Sequence, residues 1–254
     1  MEPIIVFNAC DKDSQMQMKC FDWMQELDGK LNYDCIIAQD QTMNRLIARQ
    51  FMDKAVQTFA GVSHFIYERP AVIGWPQAPN WVFQTVARMV NAEVGRPWFW
   101  MEADMIPLGP RWIEKLFAEY ARCGKPLMGS QLPGRGHLNG TAIYPSNFCE
   151  IAPHAMNATN IAWDWEMVLD TREMQHDASH LMQHVWGITN DRIDLFGGQA
   201  AVFRSAEDVH RWVDPFAVTF HRTKDGTLID RLREMKTPVT PTEMVNGGGG
   251  VMRL

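Results

Sequence analysis

Trp98-Phe99-Trp100-Met101-Glu102-Ala103-Asp104-Met105-Ile106-Pro107-Leu108 is the stretch on which the reading of this chain turns. An aromatic and apolar run of strand length ends in two carboxylates placed two apart. A strand apolar on both faces belongs inside a helix-covered sheet, and in open α/β sheets the ligand crevice lies at the carboxyl ends of the strands. Glu102 and Asp104 are therefore expected at such a crevice, on the same side, because side chains alternate with a period of two. Neighbouring anions repel unless something neutralises them. A hard divalent cation that carries a phosphate-bearing substrate would do so, since Mg²⁺ takes one or two protein carboxylates plus substrate phosphates. An acidic turn with solvated side chains is the alternative, and this segment alone does not separate the two.

Outward from that strand, the first half of the chain alternates strand and helix patterns. Residues 3–10 read as a buried first strand. A polar loop over 11–14 follows, with Asp13 or Ser14 capping a helix over about 15–27 that buries Met18, Phe21, Trp23 or Met24, and Leu27. A second strand over 33–38 ends at Gln39-Asp40, residues 43–59 have helical periodicity with Leu46, Ile47, Phe51 and Val56 near one face, and 63–67 form a third strand. Asn80 is placed to cap a helix over 81–92, with Val82, Val86, Met89 and Val90 facing inward. Beyond the carboxylates, Pro110 suits a first helical turn, Trp112, Ile113, Leu116, Phe117 and Tyr120 form a core stripe, and Gly124 ends the helix before a strand over 127–132. The β-α-β-α-β order predicts a parallel sheet of the Rossmann kind. No G-x-G-x-x-G follows the first strand, which excludes a dinucleotide fingerprint.

The 254 residues suffice for one sizeable core, and one domain is expected. No apolar run approaches the roughly 18 residues of a membrane span, and the amino terminus lacks a basic signal-peptide region. Five cysteines without a C-x-x-C pair or zinc spacing fit a reducing, cytoplasmic location. A net charge of −6 argues against broad adhesion to nucleic acid while leaving a local basic groove open.

The second half is less regular. His137–Pro145 reads as a loop entering a short strand, with Gly140 admitting a close backbone approach to a ligand. Asp164 and Glu166 lie beside Trp163 and Trp165, a composition suited to a sugar cleft, since indole faces stack on C–H faces and carboxylates accept hydroxyl protons. Equally, Asp164 could cap a helix starting near Trp165, with both indoles in the core. Residues 193–202 suggest another strand, with Gly197-Gly198 as a bulge or turn. His221-Arg222-Thr223-Lys224-Asp225-Gly226 precedes a helix near Thr227, so that an imidazole, an ammonium and backbone N–H groups could surround a diphosphate.

The order of a first nucleotide-site strand, the loop before Asn80, the Glu102-Ala103-Asp104 strand end, Asn139-Gly140, an acidic aromatic segment and the late His221-x-x-Lys224-x-Gly226 resembles the GT-A glycosyltransferases from residue 3 to about 232. That resemblance implies an α/β, Rossmann-like GT-A fold, with a mostly parallel central sheet flanked by helices and a smaller acceptor-side region. It divides the chain into a glycosyltransferase domain over 1–236 (nucleotide-sugar part about 1–132, acceptor part about 133–236) and a flexible tail or closing lid over 237–254. It also implies Mn²⁺ or Mg²⁺ and transfer from a UDP- or GDP-sugar to an acceptor hydroxyl. Carried over by position, Asp104 and His221 are metal ligands. Glu102 stands where the family has its first Asp, and reaches the metal or the ribose. Lys224 and Gly226 meet the diphosphate; Asn8, Ala9, Asp11, Asp40 and Asn80 meet the nucleotide sugar.

A metal at Asp104 and His221, helped by Lys224, would stabilise the leaving diphosphate. An inverting enzyme would use Asp164 or Glu166 as base, whereas the order of motifs resembles retaining transferases of the glycogenin and galactosyltransferase type. Small enzymes of this kind resemble those of bacteriophages, some of which modify hydroxymethylated pyrimidines in DNA. Modified DNA, bound through a face that could include Arg45, Arg49 and Arg135, is one acceptor, and a saccharide or lipid precursor is another. His176, His180 and His184, four apart, predict one stripe of a helix, more in keeping with a surface or acceptor side than with zinc. A Mg²⁺-dependent nucleotidyltransferase and a non-catalytic nucleotide-sugar or carbohydrate-binding module are the competing functions.

Overall fold

A computed structural model of the chain describes residues 1–68, 71, 74–132, 136–185, 188–189, 192–193 and 201–236. The tail over 237–254, Gly197-Gly198 and Arg135 lie outside the described residues. In chain order the elements are β1 (Ile4–Ala9), α1 (Asp11–Asp28), β2 (Leu31–Asp40), α2 (Arg45–Thr58), β3 (Phe59–Tyr67), α3 (Gln77–Glu93), β4 (Trp98–Met101), β5 (Met105–Pro107), α4 (Trp112–Cys123), β6 (Leu127–Gln131) and β7 (Leu138–Tyr144). Four short helices follow: α5 (Phe148–Ile151), α6 (Pro153–Asn157), α7 (Trp163–Glu166) and α8 (Val168–Thr171). The chain continues through β8 (Gln175–Asp177), β9 (Met182–His184), β10 (Ile188–Thr189), β11 (Arg192–Ile193), α9 (Ala206–Trp212), β12 (Thr219–His221) and α10 (Thr227–Lys236).

The main sheet has the order β3-β2-β1-β4-β7-β6-β8, parallel except where β7 runs antiparallel to β4 and β6. The period of two in β1 and β4 divides the interior into two cores. Ile5, Phe7, Phe99 and Met101 pack with Phe21, Phe51 and Trp112 from α1, α2 and α4, whereas Ile4, Val6, Trp98 and Trp100 pack on the other face with Phe83, Val86 and Val90 of α3. All four residues of β4 are buried. Helices on both faces explain why that strand lacks a polar side. Beyond this sheet, β5-β12-β9 form a second, three-stranded one, fastened to α1 where the Trp23 indole donates 2.7 Å to the Pro107 carbonyl.

Several local expectations need correction. Helix α1 begins at Asp11, so residues 11–14 are its first turn and neither Asp13 nor Ser14 caps it; the Ser14 hydroxyl donates to the Asp11 carbonyl instead. In α2, Leu46 and Val56 are exposed, whereas Phe51 and Ala55 are buried in the core and Ile47 packs against it half-buried. Helix α3 starts three residues before Asn80, which is buried inside it. Pro110 precedes the first turn of α4, whose N-cap is Arg111; Gly124 does end that helix, in the left-handed conformation (φ 65°). Asp164 lies within the first turn of α7 and does not cap it. The three histidines share no helix: His176 is in β8, His180 is in the turn after it and exposed, and His184 ends β9. A four-residue spacing followed a strand–turn–strand path here, which periodicity alone does not distinguish. No described helix is long and apolar enough to cross a membrane.

Candidate active site

Strands β1, β2, β3 and β4 end along one edge of the sheet, where a cleft of ≈ 1130 Å³ opens. Asn8, Asp40 and Tyr67 line one part of it, and the Tyr67 hydroxyl donates to Asn8 Oδ1 at 2.5 Å. Asp11, Lys12 and Asp13 enter from the start of α1. Asp11 Oδ1 also accepts the Asn44 N–H at 2.9 Å, which ties α1 to the N-cap of α2. Asp40 folds back on Thr42, accepting from its N–H at 2.7 Å and its hydroxyl at 2.8 Å.

The carboxylates meet their partner through the second sheet. After β4 the chain turns at Glu102–Asp104 into β5, which runs antiparallel to β12 with Met105 opposite His221. That register sets His221 Nε2 2.9 Å from Asp104 Oδ1 and 3.1 Å from Glu102 Oε2. The Arg222 N–H, 3.1 Å from the Asp104 carbonyl, fastens the same corner. One ligand atom from each of Glu102, Asp104 and His221 lies within 4.8 Å of the others. Asp104 and His221 are buried.

Burial alone would lower the pKa of His221, but the charges of Asp104 and Glu102 and their hydrogen bonds more than reverse this and raise it to about 9. Asp104 shows the converse: burial disfavours its charge, yet His221 first, then Lys224 and Arg222, hold it well below the usual carboxylate range. Without a metal, a proton on His221 therefore supplies the positive charge between the carboxylates. Two carboxylates and one imidazole converging on such a point also suit a Mn²⁺-like cation, because oxygen donors favour Mg²⁺ or Mn²⁺ and an imidazole is tolerated better by the latter. Among the described residues, Glu102, Asp104 and His221 are the ones that could hold it.

Opposite them stands Asp164, its carboxyl raised to about 7, first by burial and next by the charge of Glu102, against backbone N–H groups that include that of Gly140. Asn80 braces this wall, donating to the Ile161 carbonyl at 2.7 Å and accepting the Trp163 N–H at 2.9 Å. Gly140 is needed for a different close approach from the one expected. A Cβ there would meet Trp163 Cζ2 at 2.8 Å, so the glycine admits an indole of the protein. That indole stacks on Phe83 with 3.4 Å between centroids and 2° between planes, so Trp163 is buried in the core where it borders the cleft, while Trp165 lines the cleft as a half-buried residue.

Of the other expected residues, Lys224 lines the cleft and is exposed. Ala9 is buried in β1, and Gly226 packs over Lys19 and Met16, its carbonyl accepting from Lys19 Nζ at 3.0 Å. Neither lines the cleft. The N–H of Thr227, which opens α10, is taken by Asp225 Oδ1 at 3.0 Å. Glu166 faces a separate pocket of ≈ 340 Å³ with His154 and Asn160. Sequence reasoning gave Trp75 no role and Arg222 none at the cleft, and it put His184 on a helical stripe at the surface or acceptor side; all three line the cleft. Arg222 stood beside His221 as a signal, His184 stood out only by its spacing from His176 and His180, and Trp75 carried none.

No protein-family model matches the chain, and no curated protein matches it. Solved structures do. WbbM, a bifunctional glycosyltransferase in its apo form, aligns over 92% of this chain and 49% of its own, with 8% identity and a TM-score of 0.59. Mouse xyloside xylosyltransferase 1 aligns over 87% and 97%, with 7% identity and a TM-score of 0.56. An active-site mutant of LgtC aligns over 94% and 97%, with 10% identity and a TM-score of 0.56. The fold is the GT-A glycosyltransferase fold. The chain spans about half the length of WbbM and nearly all of the other two. At these identities the GT-A likeness is one of backbone arrangement.

Proposed function

We propose that the protein is a metal-dependent glycosyltransferase that moves a sugar from a UDP- or GDP-sugar to an acceptor hydroxyl. The observation that carries this reading is the convergence of Glu102, Asp104 and His221 at the strand ends of a GT-A fold. A bound cation supplies charge for the leaving diphosphate. The chain itself contributes Arg222 and Lys224 beside Asp104, positioned to bind phosphate oxygens, and Asn8 and Asp40 to meet the nucleoside. Asp164 faces the transferred sugar, where it accepts hydroxyl hydrogen bonds in a retaining reaction, the course that the motif order implies. An inverted product anomer, read by proton NMR, would instead assign Asp164 as the base that deprotonates the acceptor.

Among the described residues, the cleft carries carboxyl groups from Asp11, Asp13, Asp40, Glu102, Asp104 and Asp164 against the cations Lys12, Arg222 and Lys224. Those cations are matched to a diphosphate, and Glu102 and Asp104 to the metal, so the remaining acids, Asp11, Asp13, Asp40 and Asp164, favour an uncharged hydroxyl acceptor over a DNA strand, whose binding rests on phosphate neutralisation.

The test is thermal unfolding with a panel of UDP- and GDP-sugars, with and without Mn²⁺. A ligand at a hundred times its Kd stabilises by about 2.7 kcal/mol. At about 2–4 °C per kcal/mol for a chain of this size, the melting temperature rises by about 5–10 °C. Product analysis with the stabilising donor then shows transfer to saccharide acceptors. No shift with any sugar nucleotide would refute the reading, and pyrophosphate release from nucleoside triphosphates would replace it with nucleotidyl transfer.

A further inference from the structure

The ring nitrogen of His221 that faces away from the carboxylates has a partner of its own. Strands β9 and β12 run parallel with His184 paired to His221, and this register brings the two Nδ1 atoms to 2.9 Å. The rings meet nearly edge to face, with centroids 4.8 Å apart and planes at 60°. Two imidazole nitrogens at that distance share one proton, so one ring donates and the other accepts. His221 Nε2 is the atom aimed at Asp104 and Glu102. When Nε2 binds a cation through its lone pair, the neutral ring carries its proton on Nδ1.

We infer that His184 is a positioning residue for the cation site: its Nδ1 accepts the Nδ1–H of His221, which fixes the tautomer and ring plane that turn Nε2 toward a metal between Glu102 and Asp104. The proton of His184 then resides on its own Nε2. Histidine ligands commonly donate their second N–H to a carboxylate, a carbonyl or water, and such partners set both orientation and basicity. Here the acceptor is an uncharged ring. The site thus keeps two formal negative charges, from Glu102 and Asp104, to balance a divalent cation, where a third carboxylate would add one more. His184 is not among the residues that converge on the cation position, so it acts through His221. The small sheet is what makes this possible, since β12 carries His221 between β5 on the Asp104 side and β9 on the His184 side.

This inference rests on the reading of Glu102, Asp104 and His221 as metal ligands, and its test separates the two. Mn²⁺ is titrated into wild-type protein, His184→Leu and His184→Asn, with free Mn²⁺ read by electron paramagnetic resonance and folding by circular dichroism. Leu fills the space without an acceptor, and its Kd for Mn²⁺ is expected to rise by about 10–100-fold. Asn can place Oδ1 where Nδ1 was, and is expected to bind close to wild type. A leucine variant that binds Mn²⁺ as tightly as wild type, or an asparagine variant that loses affinity as severely as leucine, would overturn the positioning role while leaving the metal site standing. Absence of Mn²⁺ binding by the wild type would overturn both. Long-range ¹H–¹⁵N correlation of histidine-labelled, Mg²⁺-loaded wild type gives a readout free of any substitution. His184 is expected as the Nε2–H tautomer, and finding its proton on Nδ1 would refute the inference even if the leucine variant does not fold.

Discussion

Replacing Gly140 by alanine tests the architecture of the cleft wall. The added Cβ lies 2.8 Å from Trp163 Cζ2, 3.2 Å from Cη2 and 3.3 Å from Glu102 Oε1. Carbon atoms rest comfortably at about 3.5–4.0 Å, so the indole or the strand must move by about 0.7 Å or more. The indole is held on two sides of its packing: it stacks on Phe83 with 3.4 Å between centroids and meets the Tyr144 ring at 61°. Nor does β7 yield freely, because the Gly140 carbonyl accepts the Tyr144 hydroxyl at 2.6 Å. Overpacking of this kind costs about 1–3 kcal/mol, which lowers the melting temperature by about 2–12 °C. Circular dichroism in the presence of a chelator measures this, and Mn²⁺ titration measures the accompanying displacement of Glu102. The cause is isolated by a double-mutant cycle with Trp163→Phe, which removes the six-membered part of the indole. In that background Gly140→Ala is expected to be nearly harmless, giving a coupling of about 1 kcal/mol or more. An alanine variant that melts within about 1 °C of wild type, or a cycle with no coupling, would refute the reasoning.

The Asp104→Asn variant is expected to keep the fold by circular dichroism while losing Mn²⁺-dependent stabilisation and all sugar transfer; retained transfer would contradict the metal assignment. The raised pKa of Asp164 has a definite sign: a carboxyl that titrates near 7 when folded and near 4 when unfolded binds more protons in the folded state, so its contribution to stability falls as pH rises through that window. In chelator, Asp164→Asn is therefore expected to melt above wild type at pH 8, with the difference vanishing toward pH 4, and a pH-independent difference would argue against the shift. Trp75 is 71% exposed at the cleft mouth, so Trp75→Ala is expected to leave stability within about 0.5 kcal/mol while raising the KM for a substrate. His180→Ala, at an exposed turn and not among the converging ligands, should alter neither metal content by elemental analysis nor transfer rate.

Much of the frame was legible because it rests on local signals. The apolar run Trp98–Met101, the period of two in residues 4–7 and the helical stripe of Trp112, Ile113, Leu116 and Phe117 each state which surface is buried, and burial determines the element. Boundaries were less legible. Residues 11–14 look like a polar loop because acidic side chains suit both a loop and the first turn of a helix, where they favour its dipole. The histidines at 176, 180 and 184 fit a helical period that the chain does not follow.

By itself, then, the sequence determined that a buried parallel sheet ends in the carboxylates Glu102 and Asp104, and its late His221 marked a second half of the site. Only the tertiary structure decided what these residues meet. The three-residue strand β5 is too short to be read from periodicity, yet its pairing with β12 sets His221 against Asp104, and the pairing of β12 with β9 sets His184 behind it. Likewise, nothing local shows that Trp163 is locked against Phe83, or separates Asp164 facing the cleft from Glu166 facing another pocket. These are long-range pairings, and their partners are fixed by how strands and helices from distant parts of the chain pack together, which no local pattern encodes.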